Sequence, residues 1–247
     1  MSIAIIIPAR LASTRLPNKP LVDILGKTMI ARVYEKAIQV VGARVFVACD
    51  SEEVKREVEN IGGNVILTDP NLASGTDRVH AALQEINEDF DIVVCLQGDL
   101  PGLNPETIEE AISAIKQTDA DIATVANIIE DRDEITDPNN VKIAIAFKDL
   151  GRTLGTALYF SRCPIPYSKD LSEAYYHHIG IYAYKREALE RFVKLDPSPL
   201  EKRESLEQLR AMENDMKIAV KIVGDDPISV DTPKDLENAT RDIKNKE

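Results

Sequence analysis

Ile3-Ala4-Ile5-Ile6-Ile7 runs straight into Pro8-Ala9-Arg10-Leu11-Ala12-Ser13-Thr14-Arg15-Leu16-Pro17-Asn18-Lys19-Pro20. The first stretch is too short and too continuously apolar for a surface helix, so it reads as a strand buried on both faces, which is the habit of parallel sheets. The second packs three cations and three prolines into thirteen residues of a chain that is otherwise acidic. A strand followed by a stiff cationic loop sets the question of what that loop holds.

Outward from this strand the pattern repeats. Residues 44–48, 65–67 and 92–96 are further short apolar runs. Between them Met29, Ile30, Val33, Ala37 and Val41 recur at helical spacing, and a helix is expected over 51–61 with Gly62-Gly63 as its C-cap. Ile108, Ala111, Ile112 and Ile115 form another helical stripe, opened by Asn104-Pro105. Repeated βαβ units predict an α/β fold with a mostly parallel central sheet. The second half changes character. Residues 122–127, 141–147, 157–161 and 179–184 are strand-like without regular intervening helices, which predicts a mixed or antiparallel lobe. Helices are expected at 186–193 and about 202–213, then a strand at 218–223 and a last helix opened by Thr232-Pro233. No linker, repeat or low-complexity tract separates the halves, so the chain reads as a single domain over 1–247, with about 122–184 forming a smaller β-rich lobe.

Composition narrows the function classes. With 247 residues, 44% of them hydrophobic, the chain can bury a sizeable core. Thirty Lys plus Arg against forty-two Asp plus Glu leave a net charge of -12, which argues against nucleic acid and against anionic membranes. No apolar stretch approaches the roughly 20 residues that span a bilayer, and no signal peptide opens the chain; the expectation is a cytoplasmic protein without membrane insertion. Cys49, Cys95 and Cys163 are odd in number and lack a C-x-x-C spacing, so buried thiols are expected in place of a disulfide framework or a zinc site.

In a parallel α/β sheet ligands bind beyond the carboxyl ends of the strands. Arg10, Arg15 and Lys19 lie just beyond the first strand, in a loop with neither a Walker motif nor a dinucleotide fingerprint. Arginine forks and a lysine point charge, with the Ser13 and Thr14 hydroxyls, are suited to a triphosphate. The competing account pairs these cations with acidic neighbours on a solvated loop. Val93-Val94-Cys95-Leu96-Gln97-Gly98-Asp99 brings a carboxylate to the same edge. An acid beside polyphosphate calls for a divalent cation such as Mg²⁺, which takes one or two carboxylates together with phosphate oxygens. Asp231 is the second candidate ligand, delivered by a strand-like 228–230 just ahead of a helix start. It could equally be a helix N-terminal residue facing the dipole. Asp235, three residues past Thr232, suits capping.

With these residues in hand, the sequence closely resembles the 3-deoxy-manno-octulosonate cytidylyltransferases, the CMP-Kdo synthetases of bacterial lipopolysaccharide assembly. The resemblance rests on IPARLASTRLPNKPL (7–21), GKTMIARVYEKA (26–37), SGTDR (74–78), LQGDLP (96–101), ALYFSR (157–162), HHIGIYAY (177–184), PSPLEKRESLEQLR (197–210) and VDTPKDL (230–236), in that order over nearly the whole chain. It implies a Rossmann-like nucleotidyltransferase fold in which the β-rich lobe serves sugar binding and dimerisation. It also implies CTP and Kdo as substrates, Mg²⁺ as cofactor, and a homodimer. By the same resemblance Arg10, Lys19 and Asp99 would be catalytic, and Ala9, Arg10, Ser13, Lys19, Ser74, Arg78 and Gln97 would meet the nucleotide. Asp99 and Asp231 would hold the metal. Arg15 and Arg162 would address the sugar carboxylate, with Gln97, His178, Tyr182, Glu207 and Gln208 at its hydroxyls. Strand alternation puts His178 and Tyr182 on one face, whereas Glu207 and Gln208, adjacent on a helix, point in different directions. Two positions depart from the usual motif: Leu100 stands where glutamate is common and Asn18 where glycine is frequent, the latter tolerable in a left-handed backbone. The rival readings are a CMP-sialate synthetase, a cytidylyltransferase for an 8-amino Kdo, and a non-catalytic nucleotide-binding module.

Overall fold

The computed structural model describes residues 1–13, 15–148, 151–169 and 173–246. In chain order the elements are β1 (Ile3–Ala9), a short 3-10 turn (Lys19–Leu21), β2 (Asp23–Ile24), β3 (Lys27–Thr28), α1 (Met29–Ala37), β4 (Ala43–Cys49), α2 (Glu52–Asn60), β5 (Val65–Leu67), α3 (Gly75–Glu85), β6 (Ile92–Leu96) and α4 (Pro105–Gln117). There follow β7 (Ile122–Ile128), α5 (Arg132–Thr136), β8 (Lys142–Phe147), β9 (Leu154–Ser161), β10 (Tyr176–Lys185), α6 (Arg186–Phe192), α7 (Pro199–Glu204), α8 (Gln208–Glu213), β11 (Ile218–Ile222) and α9 (Pro233–Lys246). The chain divides into two compact units, Met1–Ile108 with Asp226–Glu247, and Glu109–Asp225. The β-rich stretch 122–184 lies within the second.

In the first unit the strands run parallel in the order β5-β4-β1-β6. Ile5 faces Val45 on one side and Val94 on the other, so β1 is buried on both edges and both faces, which explains its unbroken apolar sequence. The chain builds β4 and β5 to one side of β1 and then places β6 on the other. The carboxyl ends of β1 and β6 therefore flank a topological switch point, where open α/β sheets bind ligands. Serine and threonine caps set the helix starts: the Thr28, Ser51 and Ser74 side chains accept from the third residue of α1, α2 and α3. Gly62 ends α2 at φ 74°, as its place in the sequence predicts. The C-terminal helix returns to this unit and packs Ala239 and Ile243 against Leu16, Ile24, Met29 and Val230, so the cationic loop is anchored through Leu16.

The second unit is mixed, in the order β10-β7-β11-β9-β8: β11 is parallel to β7, and the other three pairings along this order are antiparallel. Several details differ from the sequence expectation, among them α1, which stops at Ala37, short of Val41. The helix expected over about 202–213 is broken: α7 ends at Ser205 in the left-handed region (φ 54°), and α8 begins at Gln208. Glu204 turns its carboxylate toward the Ser161 hydroxyl and the Arg162 amide, and the Leu206 amide closes back on the Glu201 carbonyl. In the first unit, 228–230 joins no strand ladder. Of the cysteines, Cys49 and Cys95 are buried as expected, whereas Cys163 is exposed.

Candidate functional site

Beyond the carboxyl ends of β1 and β6 lies a cleft of about 330 Å³. Every proposed nucleotide and metal residue lines it: Ala9, Arg10, Ser13, Lys19, Ser74, Arg78, Gln97, Asp99 and Asp231, with Arg15 beside them. Thr14 lies outside the described residues. The lining comes entirely from the first unit.

Local structure explains how each group arrives. Asn18 adopts the left-handed conformation (φ 55°, ψ 34°), the role in which asparagine can replace glycine, and the 3-10 turn after it presents Lys19. Gly98 lies so close to β1 that a Cβ there would meet the Pro8 carbonyl oxygen at 3.1 Å. That close approach carries Asp99 to the edge of the cleft. The Val230 amide donates to the Asp99 carbonyl at 2.9 Å, fastening the segment that bears Asp231 beside it. Asp235 closes a cap: its Oδ2 accepts from the Asp231 and Thr232 amides and from the Thr232 hydroxyl, and its own amide donates to Thr232 Oγ1. Ser74 Oγ accepts from the Asp77 amide and donates to Asp77 Oδ2, so this serine caps α3 as well as lining the cleft.

At the centre Lys19 Nζ stands 2.8 Å from Asp99 Oδ2 and 2.8 Å from Asp231 Oδ1, while Arg15 reaches Asp231 Oδ2 at 3.1 Å. Burial opposes the Lys19 charge, but Asp99 and Asp231 outweigh it and raise its pKa above the ordinary lysine value. Burial likewise opposes the Asp231 charge, and the Lys19 hydrogen bond, the Lys19 charge and Arg15 overcome it, leaving that carboxyl below its usual range. Both are held ionised at neutral pH. Four cations, Arg10, Arg15, Lys19 and Arg78, and two carboxylates, Asp99 and Asp231, line the cleft, a set suited to an anion with several negative oxygens.

Arg78 is almost fully buried, donating to Thr68 Oγ1 at 2.6 Å and reaching Asp50 Oδ2 at 3.5 Å. Neither Asp50 nor Thr68 was identified from sequence. The position of Asp50, directly after the fourth-strand segment, was the one signal that could have found it.

The other five predicted residues belong to the second unit. Arg162 directs Nε, NH1 and NH2 at the carbonyls of Glu204, Pro138 and Ser205, so a sugar carboxylate would have to displace these bonds. His178 is buried, with Nε2 2.9 Å from Thr124 Oγ1 and its ring 5.0 Å from Phe160 and 5.4 Å from Tyr182. Burial, with a smaller effect from His177, pushes its pKa down to about 3, so the imidazole is neutral. The β10–β7 register slips by two residues between Ile179 and Tyr182, which preserves the alternation and keeps His178 and Tyr182 on one face of the strand. Thr124 fills the irregularity by donating to the Ile181 carbonyl at 2.7 Å. Glu207 sits at the start of α8, 4.0 Å from Arg210 Nη2, and Gln208 is buried, its Nε2 without a hydrogen-bond partner among the described residues.

Comparison with known proteins identifies the family. The sequence profile of a family described as cytidylyltransferase matches residues 4–218. The 3-deoxy-manno-octulosonate cytidylyltransferase of Parvibaculum lavamentivorans is 48% identical over 237 residues, covering 95% of this chain and 90% of that protein. Its counterpart in Brucella anthropi is 49% identical over 236 residues, covering 95% and 93%. A solved structure of CMP:2-keto-3-deoxy-manno-octonic acid synthetase complexed with CTP superposes with a TM-score of 0.92 at 37% identity, over 100% of both chains.

Proposed function

The chain belongs to the 3-deoxy-manno-octulosonate cytidylyltransferase family, and from that premise we propose that it transfers CMP from CTP to Kdo, releasing pyrophosphate, in lipopolysaccharide biosynthesis. The anomeric hydroxyl oxygen of Kdo forms a bond to the α-phosphorus of CTP, the bond from that phosphorus to the bridging oxygen breaks, pyrophosphate leaves, and the hydroxyl proton passes to water. The observation that carries this reading is the single cleft in which Arg10, Lys19, Asp99 and Asp231 meet.

Phosphoryl-group transfer asks mainly for alignment and for neutralisation of growing charge, and no covalent enzyme intermediate is needed. Arg10 and Lys19 receive the triphosphate oxygens, Ser13 and the backbone at Ala9 assist, and Ser74, Arg78 and Gln97 border the nucleoside. Arg15, at the cleft and 64% exposed, is the cation best placed to meet the carboxylate of an incoming sugar. Asp99 and Asp231 would hold Mg²⁺. Their oxygens already converge on one cation, the Lys19 ammonium, so the pair is arranged for positive charge. Among the described residues no group of three or more His, Cys, Asp or Glu forms a closed cage, and a metal that draws its remaining oxygens from phosphate and water needs none. When bound, Mg²⁺ would neutralise charge on the transferring phosphate and the leaving pyrophosphate.

The proposal extends to a cytoplasmic homodimer. Three cysteines that form no disulfide among the described residues suit a reducing compartment, and the oligomeric state rests on the family resemblance. No helix among the described residues is long and apolar enough to cross a membrane. The experiment is a nucleotide-by-sugar matrix assayed for pyrophosphate with and without Mg²⁺. CTP with Kdo should give product only when the metal is present. Product with sialic acid but not Kdo would overturn the assignment, and metal-independent turnover would remove Mg²⁺ from it.

A further inference from the structure

Asp50 follows immediately on the last residue of β4, yet it is not among the residues lining the cleft. Its side chain is 8% exposed. A buried carboxylate is costly unless each oxygen is paired, and both oxygens here face donors that belong to cleft-forming segments. Oδ1 accepts the Leu11 amide at 2.9 Å, one residue past Arg10 in the cationic loop. Oδ2 faces Arg78 NH2 at 3.5 Å, on α3. Arg78 is fixed from its other arm by Thr68 Oγ1 at 2.6 Å, and that hydroxyl donates at 2.9 Å to the carbonyl of Cys49, the residue preceding Asp50. One carboxylate thus ties the loop after β1 and the helix behind the nucleotide to the end of β4.

We infer that Asp50 is a positioning residue for the nucleotide, acting through the Leu11 amide and the Arg78 guanidinium without touching substrate. The inference rests on the cytidylyl-transfer reading and adds a residue to it. Its energetic logic is preorganisation. A loop and a guanidinium already held in place lose less freedom when the triphosphate arrives, so removing Asp50 weakens nucleotide affinity more than the chemical step.

Two variants separate the arms. Asp50→Asn keeps an oxygen for the Leu11 amide but removes the charge facing Arg78; Asp50→Ala removes both. Calorimetric Kd for CTP should rise about 3- to 10-fold in Asp50→Asn and more in Asp50→Ala, with KM for CTP following and kcat and KM for Kdo changing less than about threefold. The Leu11 amide should exchange with deuterium faster in Asp50→Ala without any nucleotide present. A purely structural role predicts a lower melting temperature and less active protein at unchanged Kd and KM for CTP, and that result overturns the inference. So does unchanged exchange at Leu11. Should the Asp50 variants fail to fold, Thr68→Val removes the other anchor of Arg78 and must show the same rise in Kd, or the inference falls. Failure of the wild-type protein to bind CTP at all would instead overturn the underlying functional reading.

Discussion

Lys19 is bonded to both Asp99 and Asp231 and is mostly buried, so its removal leaves two facing carboxylates without their shared cation. Lys19→Met should raise Kd and KM for CTP about 10- to 100-fold, checked by calorimetry and steady-state kinetics. The ion pairs have defined pH windows. Asp231, with its pKa depressed, contributes stability that is present above the unfolded carboxylate range and lost as pH falls through the folded value. Lys19, with its pKa raised, contributes stability that is present below the unfolded lysine value and lost as pH rises through the folded one. His178 has a separate window. Its imidazole is neutral in the fold, with a pKa of about 3, so the unfolded chain takes up the extra proton once pH drops below the ordinary histidine value. Stability should therefore decline by about 1.4 kcal/mol per pH unit below roughly 6.5, on top of any other acid effect. Urea unfolding of wild type and His178→Phe at pH 7 and pH 5 checks this: about 2 kcal/mol of the wild-type loss should disappear in the variant.

Among the elements, the junction of β1 and β6 sets the position of the acids. Gly98→Ala would push a methyl group against the Pro8 carbonyl, and either strand end must shift. Because small displacements at a reacting centre are expensive, turnover should fall at least about tenfold while the melting temperature drops by only a few degrees. Ser205 holds a left-handed backbone that serine disfavours, so Ser205→Gly should stabilise the protein by up to about 1 kcal/mol in chemical unfolding, without changing turnover. The same two sites show what a sequence can carry. The end of β6 was legible because an apolar run closing on Gly-Asp has few other meanings. The break at Ser205 was not, because no glycine or proline marks it and the tertiary bonds of Glu204 and Arg162 accompany it. The stretch 228–230 has strand-like residues but forms no ladder, and its Val230 amide bonds to the Asp99 carbonyl, a contact invisible to local pattern.

Across the molecule, a chain of net charge -12 concentrates four cations around a cleft of about 330 Å³, so a polyanion meets a local field opposite to the overall one. The cationic loop and Asp99 were identifiable from residue type and position at strand ends, and Asp231 from its place just ahead of a helix start. The partly buried support behind them, Asp50 and Thr68 around Arg78, was not, since its meaning lies in distances between segments far apart in sequence. Whether Asp99 serves the reaction at the α-phosphate and not the fold is read from pyrophosphate release from CTP and Kdo in wild type and Asp99→Asn. CTP affinity and melting temperature are measured on the same samples. The variant should fold, bind CTP within about tenfold of wild type and turn over at least about a thousandfold more slowly. Turnover close to wild type in that variant would contradict a role for Asp99 in the reaction.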